Sequence, residues 1–306
     1  MVATRAVLVC FLCALPSSRA AAATTTAAFS VLRLTSGART SALAESGTAL
    51  VGSEALSYNP AALAVGGTGA LGLTHSEWIE DIRHEYLTAA FRIGARSFVG
   101  VQAQLFHAGQ LEHRVGPSLE PLGDFGVFEW SVGVAWSRQW TPKLRLGAGA
   151  KLLRQSIFTE AANGAAADFG ALYEVSPRLA VGASVRNLGS LGELDREATD
   201  LPRQVRLGTA VRPRADLVVL ADGQWVRDAE GSLHVGVEWM WRPELVLRTG
   251  YQTSDTRGMA AGIGVAVGSW RVDYAFVPFA DDLGEAHRVT LYLNDSAPPA
   301  RTEGSQ

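Results

Sequence analysis

The chain has no unbroken apolar run of about eighteen residues, which excludes a membrane-spanning helix. Its cysteines are Cys10 and Cys13, and both fall inside an N-terminal segment that reads as a secretory signal. That segment has Arg5, an apolar run from Ala6 to Leu15, and small residues through to Ala23; the core is too short to span a bilayer. Cleavage within 20–23 leaves a chain free of cysteine. That excludes disulfide frameworks, thiol nucleophiles and Cys-ligated metals together. Cys13 lies within the apolar run and has no lipid-attachment context. Strong charge is lacking too. The formal net charge is −3, and loss of Arg5 and Arg19 gives −3 − 2 = −5, which is no nucleic-acid signature.

Catalytic and metal-binding patterns are equally scarce. The histidines are His75, His84, His107, His113, His234 and His287, and none has metal-ligand spacing to a second histidine or a carboxylate on one face. Ser131 and His234 share a face in the strand register below, but no third group orients them as a hydrolase needs. Glycines from Gly262 to Gly268 recur with period two and no helix follows them, so they are not a phosphate loop. The reading is a non-enzyme without cofactor or metal.

What the chain does have is a rhythm. Between 69 and 294 it reads as fourteen amphipathic segments of about nine to thirteen residues, joined by connections that alternate long and short. The short ones are Gly94-Ala95, Thr141-Pro142-Lys143, Ser176-Pro177-Arg178, Pro213 to Asp216, Arg242-Pro243-Glu244 and Gly268-Ser269. The longest intervening stretch runs from His107 to Phe125. A soluble sandwich has no reason to sort turns by parity, whereas an antiparallel outer-membrane barrel with an even strand number does. The composition agrees, with 47% hydrophobic residues and a mean hydropathy of +0.10.

Residues two apart share a face of a strand. Phe128, Trp130, Val132, Val134 and Trp136 form one apolar register against Glu129, Ser131, Gly133 and Ser137. Leu233, Val235, Val237, Trp239 and Trp241 repeat it, as do Met259, Ala261, Ile263, Val265 and Val267. The opposite faces carry Gly, Ala, Ser and scattered charges rather than the Lys and Glu of a solvated surface. Aromatics cluster at strand ends, where girdles at the lipid–water boundary belong. The apolar register is therefore expected to face lipid. Glu129, Arg145, Lys151, Arg186, Arg206, Glu238, Arg248, Arg271 and Asp273 then point into the lumen, where charge must be paired or wet. A salt-bridge lattice joining walls and plug is the expectation. Gly133, facing inward, is expected to tolerate a small side chain.

Ahead of the first strand, 36–64 reads SGARTSALAESGTALVGSEALSYNPAALA, with no strand period. Asn59-Pro60 marks a reversal, Asn59 able to cap and Pro60 fixed for a first helical position. So small and apolar a segment suits a lumen lined by Gly and Ala better than a free linker. The residues Gly37, Arg39, Gly47, Tyr58, Asn59, Pro60, Ala61, Ala62 and Leu63 give the chain its resemblance to the PorV/PorQ family, within the broader group of FadL-like outer-membrane barrels. Ala44-Glu45-Ser46-Gly47 and Gly52-Ser53-Glu54 depart from the family's usual pattern.

The resemblance implies an all-β, fourteen-stranded antiparallel transmembrane barrel, plugged by its N-terminus from the periplasmic side, in the bacterial outer membrane. The expected layout is a signal peptide at 1–23, plug at 24–68, barrel at 69–294 and polar tail at 295–306. It implies a docking or structural role in protein secretion or envelope assembly, with outer-membrane lipid and secretion or envelope proteins as partners. The alternative it implies is a FadL-like channel with a hydrophobic ligand. Modest polar outer loops, around 111–124 and 189–201, and an inward wall of Gly and charge favour docking.

Overall fold

The computed structural model describes residues 29–34, 36–78, 82–114, 121–194, 197–227, 229–254, 256–280 and 284–295. The signal at 1–23 and the tail beyond Asp295 lie outside them. Strands dominate because the period-two segments can bury a backbone only by pairing side by side. In chain order they are β1 (Gly69–Glu77), β2 (Arg83–Arg92), β3 (Ser97–His113), β4 (Gly123–Gln139) and β5 (Leu144–Ile157). There follow β6 (Glu160–Ser176), β7 (Leu179–Leu194), β8 (Glu197–Asp200), β9 (Gln204–Arg214) and β10 (Leu217–Val226). The last are β11 (Ser232–Arg242), β12 (Leu245–Gln252), β13 (Met259–Val267), β14 (Trp270–Pro278) and β15 (Glu285–Leu293).

Each strand pairs antiparallel with its sequence neighbour, and β1 closes on β15 from Leu71↔Leu293 to Glu77↔His287. Among the described residues β8 pairs with β7 alone, while β7 passes on to β9; setting it aside, 15 − 1 = 14 strands form the closed wall. Closure leaves no free sheet edge, the condition for a sheet in hydrocarbon.

The faces sort as the alternation requires. Val132 (50% exposed), Val134 (51%) and Leu152 (63%) point out of the barrel, whereas Ser131 and Ser137 on the opposite register of β4 are fully buried. Among the described residues that outward apolar belt stays exposed, as a wall facing lipid requires.

Three features differ from the sequence reading. Strands β3, β4 and β6 run to 17 residues, and the stretch from His107 to Phe125 continues as paired β3 and β4 almost to its tip. A β-bulge between Ala108 and Leu111 shifts the alternation there by one, which hides the strand from a period-two reading. The parity of connections also has an exception. β5 and β6 meet through residues 158–159 on the long-loop rim, with Phe158 at φ 52. The wall is consequently lopsided, tall along β3–β7 and short along β12–β15. Finally, Gly133 has no room: a Cβ there would lie 2.7 Å from Lys151 Cγ and 3.1 Å from Ala150 O, so its absence of side chain is a packing requirement.

Candidate functional site: the plugged lumen

The N-terminal segment occupies the lumen. It enters at the short-turn rim beside β1 and folds as short turns through the middle of the barrel. These are the 3₁₀ turns Pro60–Ala62 and Ser53–Ser57 and the helical turn α1 (Ala38–Ala42). A parallel bridge joins Gly52 to Leu63. The segment then climbs toward the long-loop rim, where a third 3₁₀ turn, Ser30–Arg33, lies under the tall strands.

Asn59 fixes the reversal. Its Oδ1 accepts from Ala61 N at 3.0 Å, and its Nδ2 donates to Thr48 O at 2.8 Å and to Ala171 O of β6 at 3.0 Å. One side chain thus caps the turn, braces the plug on itself and ties it to the wall. Ser137 Oγ donates to Ala61 O, and Ser184 Oγ to Tyr58 O. The Arg206 guanidinium stands 5.0 Å over the Tyr58 ring, and Gly47 packs against that ring's other atoms.

Inward glycines of the wall make this fit possible. A Cβ on Gly147 would fall inside the Pro60–Ala61 backbone, and one on Gly170 would overlap Asn59 Oδ1. Gly182, Gly236 and Gly250 likewise meet plug atoms of Thr48, Ser46 and Leu43. Lumenal glycines are thus contact points for the plug rather than free space.

Charge completes the seat. Arg39 donates to both carboxylate oxygens of Glu238, each at 2.7 Å. Arg248 donates to Glu238 at 2.7 Å and to Asp273 at 3.1 Å; Asp273 also accepts from Arg271, which reaches Asp295 at 2.8 Å. Burial opposes the charge on Arg39, but the Glu238 carboxylate more than offsets it and holds the guanidinium firmly protonated. Near Gly37, Glu54 accepts from Thr40 Oγ1 and from the Tyr292 hydroxyl. Burial, opposed by Arg39 and Arg271, pushes the Glu54 carboxyl up to about 7.

The other inward charges divide by partner. Glu129 accepts from Val31 N of the plug at 2.8 Å and from Gln155 at 2.6 Å. Arg206 reaches Asp222 and Glu45 O, and Asp222 accepts from Thr48 N. Lys151 and Arg145 bind wall residues instead, Lys151 with Asp168 at 2.8 Å and Arg145 with Glu174 at 3.7 Å. Glu45, Glu54, Asp168 and Asp222 escaped the sequence reading. Asp168 sits at a register shift between Ala167 and Phe169, where alternation no longer assigns a face. His234 is engaged by Ala44 O and Ser232 Oγ, not by Ser131.

Above this polar floor the lumen changes character. Phe29, Val31 and Leu32 of the plug pack with Phe106, Ala108, Leu153, Ala162, Ala166, Leu191 and Leu201, and Leu111 and Val127 lie against them. Toward the long-loop rim the rings of His113, Phe125 and Phe158 follow, with centroids 5.4 to 6.5 Å apart. The apolar lining of this upper chamber of the lumen therefore runs from the tall rim down to the plug, and Phe29, Val31 and Leu32 are packed into its lower end. The sequence reading, which took much of this region as polar loop, had expected no such surface.

No protein-family model and no curated protein matches the chain. Solved structures do. The Ralstonia pickettii toluene transporter TbuX superposes at TM-score 0.64 and 17% identity, over 86% of this chain and 98% of that one. The CymD monoaromatic hydrocarbon channel gives 0.64 and 13%, over 87% and 97%. The Pseudomonas putida toluene transporter TodX gives 0.62 and 14%, over 85% and 96%. At such identities the likeness speaks for the fold alone, a closed antiparallel β-barrel like theirs. It does not single out the PorV/PorQ branch.

Proposed function

We propose that this protein is an outer-membrane channel for small hydrophobic molecules, closed by its N-terminal plug. The observation that carries the reading is the apolar lining of the lumen under β3–β7, which Phe29, Val31 and Leu32 of the plug fill and which leads up to the aromatic rings at the tall rim. Ligand sites are concave and mostly apolar, and a channel for hydrophobic compounds needs such a surface inside the wall. The solved structures of like fold are described as toluene transporters and a monoaromatic hydrocarbon channel, which supports the same class of cargo. The docking role expected from the sequence rested on polar outer loops and an inward wall of Gly and charge, and the apolar lining under β3–β7 weighs against it.

The plug is the gate. Phe29–Leu32 occupies the lower chamber, and Arg39, Asn59 and Glu54 anchor the segment beneath it, so passage requires part of this segment to move. Uptake tests the proposal. A deletion strain is expected to take up labelled p-xylene several-fold more slowly than its parent, with uptake of a small sugar unchanged. Equal p-xylene uptake by both strains would reject the channel reading.

A further inference from the structure

Between the ionic seat and the apolar chamber lies a shelf of buried polar side chains that neither wall nor plug satisfies. We infer that His84, Gln104 and Ser131 form a recognition site for the single oxygen of a small hydrophobic alcohol, phenol or ketone. The inference deepens the channel reading and rests on it.

The sheet register builds the site. Gln104 of β3 pairs directly with Ser131 of β4 and with Tyr86 of β2, and His84 is the next inward residue above Tyr86. His84 and Ser131 are 0% exposed and Gln104 is 2% exposed. His84 and Gln104 lean on each other through the Gln104 amide, but neither finds any further partner among the described residues, and Oγ of Ser131 has none at all. Buried polar groups in folded proteins are nearly always fully paired, and neighbours left with open capacity at one spot call for a reason. Tyr86, one step lower, is satisfied by Ser57 and Gln102.

Position supplies the reason. His84 pairs across the sheet with Phe106, and Ser131 with Leu153, and both of these partners belong to the chamber. A ring lodged against Phe106 and Leu153 would carry its substituent onto the shelf. The open groups there are a carbonyl acceptor, a hydroxyl and an imidazole, which together can meet a hydroxyl as donor or acceptor and a carbonyl as acceptor. They offer nothing to a hydrocarbon. A site with open hydrogen-bonding groups discriminates strongly against an analogue that leaves them unpaired.

The isosteric pair p-cresol and p-xylene tests this directly, with the full mature chain in lipid nanodiscs and equilibrium binding read by calorimetry. An all-apolar chamber prefers p-xylene, the less hydrated of the two. The shelf predicts that p-cresol binds at least as tightly. Ser131→Ala and Gln104→Leu should each weaken p-cresol about three- to ten-fold, the worth of one hydrogen bond, and leave p-xylene within about two-fold. Retained p-xylene binding certifies that the variant is folded; should Gln104→Leu lose both ligands, Ser131→Ala decides. Tighter binding of p-xylene, with neither variant shifting p-cresol, would overturn the inference and leave the shelf to water. Binding of neither compound would instead overturn the channel reading itself.

Discussion

Arg39 on the plug and Glu238 in the middle of β11 hold each other through two parallel hydrogen bonds of 2.7 Å, with both side chains nearly buried. Glu238 also accepts from Arg248, so the pair anchors the plug to a network that spans β11, β12 and β14. Breaking a buried pair is costly because the surviving charge is stranded. Arg39→Ala is expected to destabilise the seated plug by about 3 kcal/mol, the lower end for such pairs because Arg248 remains. In a double-mutant cycle with Glu238→Ala, read from urea midpoints, the coupling should exceed about 1 kcal/mol. Additive losses would mean that the two residues do not act as a pair.

The wall glycines should be intolerant in a position-specific way. Gly170→Ala meets Oδ1 of Asn59, a side chain held by three hydrogen bonds, and Gly147→Ala meets the Pro60–Ala61 backbone. Each should cost about 1–3 kcal/mol and raise the single-channel conductance of the barrel in planar bilayers, as overpacking loosens the plug. Gly94→Ala, with nothing within 4 Å of its added methyl, is the control and should change neither. Equal behaviour of all three would contradict the described contacts.

Lipid-facing positions should respond to charge rather than to volume. Val134→Arg places a guanidinium mid-wall on the outward face and is expected to cost about 2–4 kcal/mol in bilayer refolding. Val134→Phe should be close to neutral. A neutral Val134→Arg would place this face away from hydrocarbon.

The plug should also be seated more firmly in acid. Burial holds the Glu54 carboxyl protonated up to about 7, above its ordinary value of 4.5. Between those values the folded state binds more protons than the unfolded one, so stability falls as pH rises through the window and levels off above it. The change is on the order of 3 kcal/mol across the window. Urea midpoints at pH 5 and pH 8 should differ in the wild type and converge in Glu54→Gln. The same pH dependence in both would assign it to other groups.

Much of this was legible in the residues. Phe128 through Trp136 alternate cleanly, so both the strand and its outward face follow from period two, and Asn59-Pro60 announces the turn that the plug makes. The apolar chamber was not legible. The β3–β4 rise into the tall rim is interrupted by the bulge at Ala108/Leu111, and its apolar inward residues, such as Phe106 and Val127, mimic the lipid-facing register of ordinary strands. The partners of the inward charges were hidden for a related reason. Asp168, Asp222 and Glu54 are identified as partners only once register and plug path are fixed in three dimensions.

The claim that hydrophobic molecules occupy the chamber under β3–β7 is tested most directly by photolabelling. A diazirine-bearing alkylbenzene would be activated on the protein in nanodiscs and its adducts mapped by mass spectrometry, with and without excess p-xylene. The account predicts p-xylene-sensitive adducts at Phe106, Leu153 and Leu191. Adducts confined to outward residues such as Leu87 and Val132, unaffected by p-xylene, would show a probe that partitions into lipid alone and would contradict the channel.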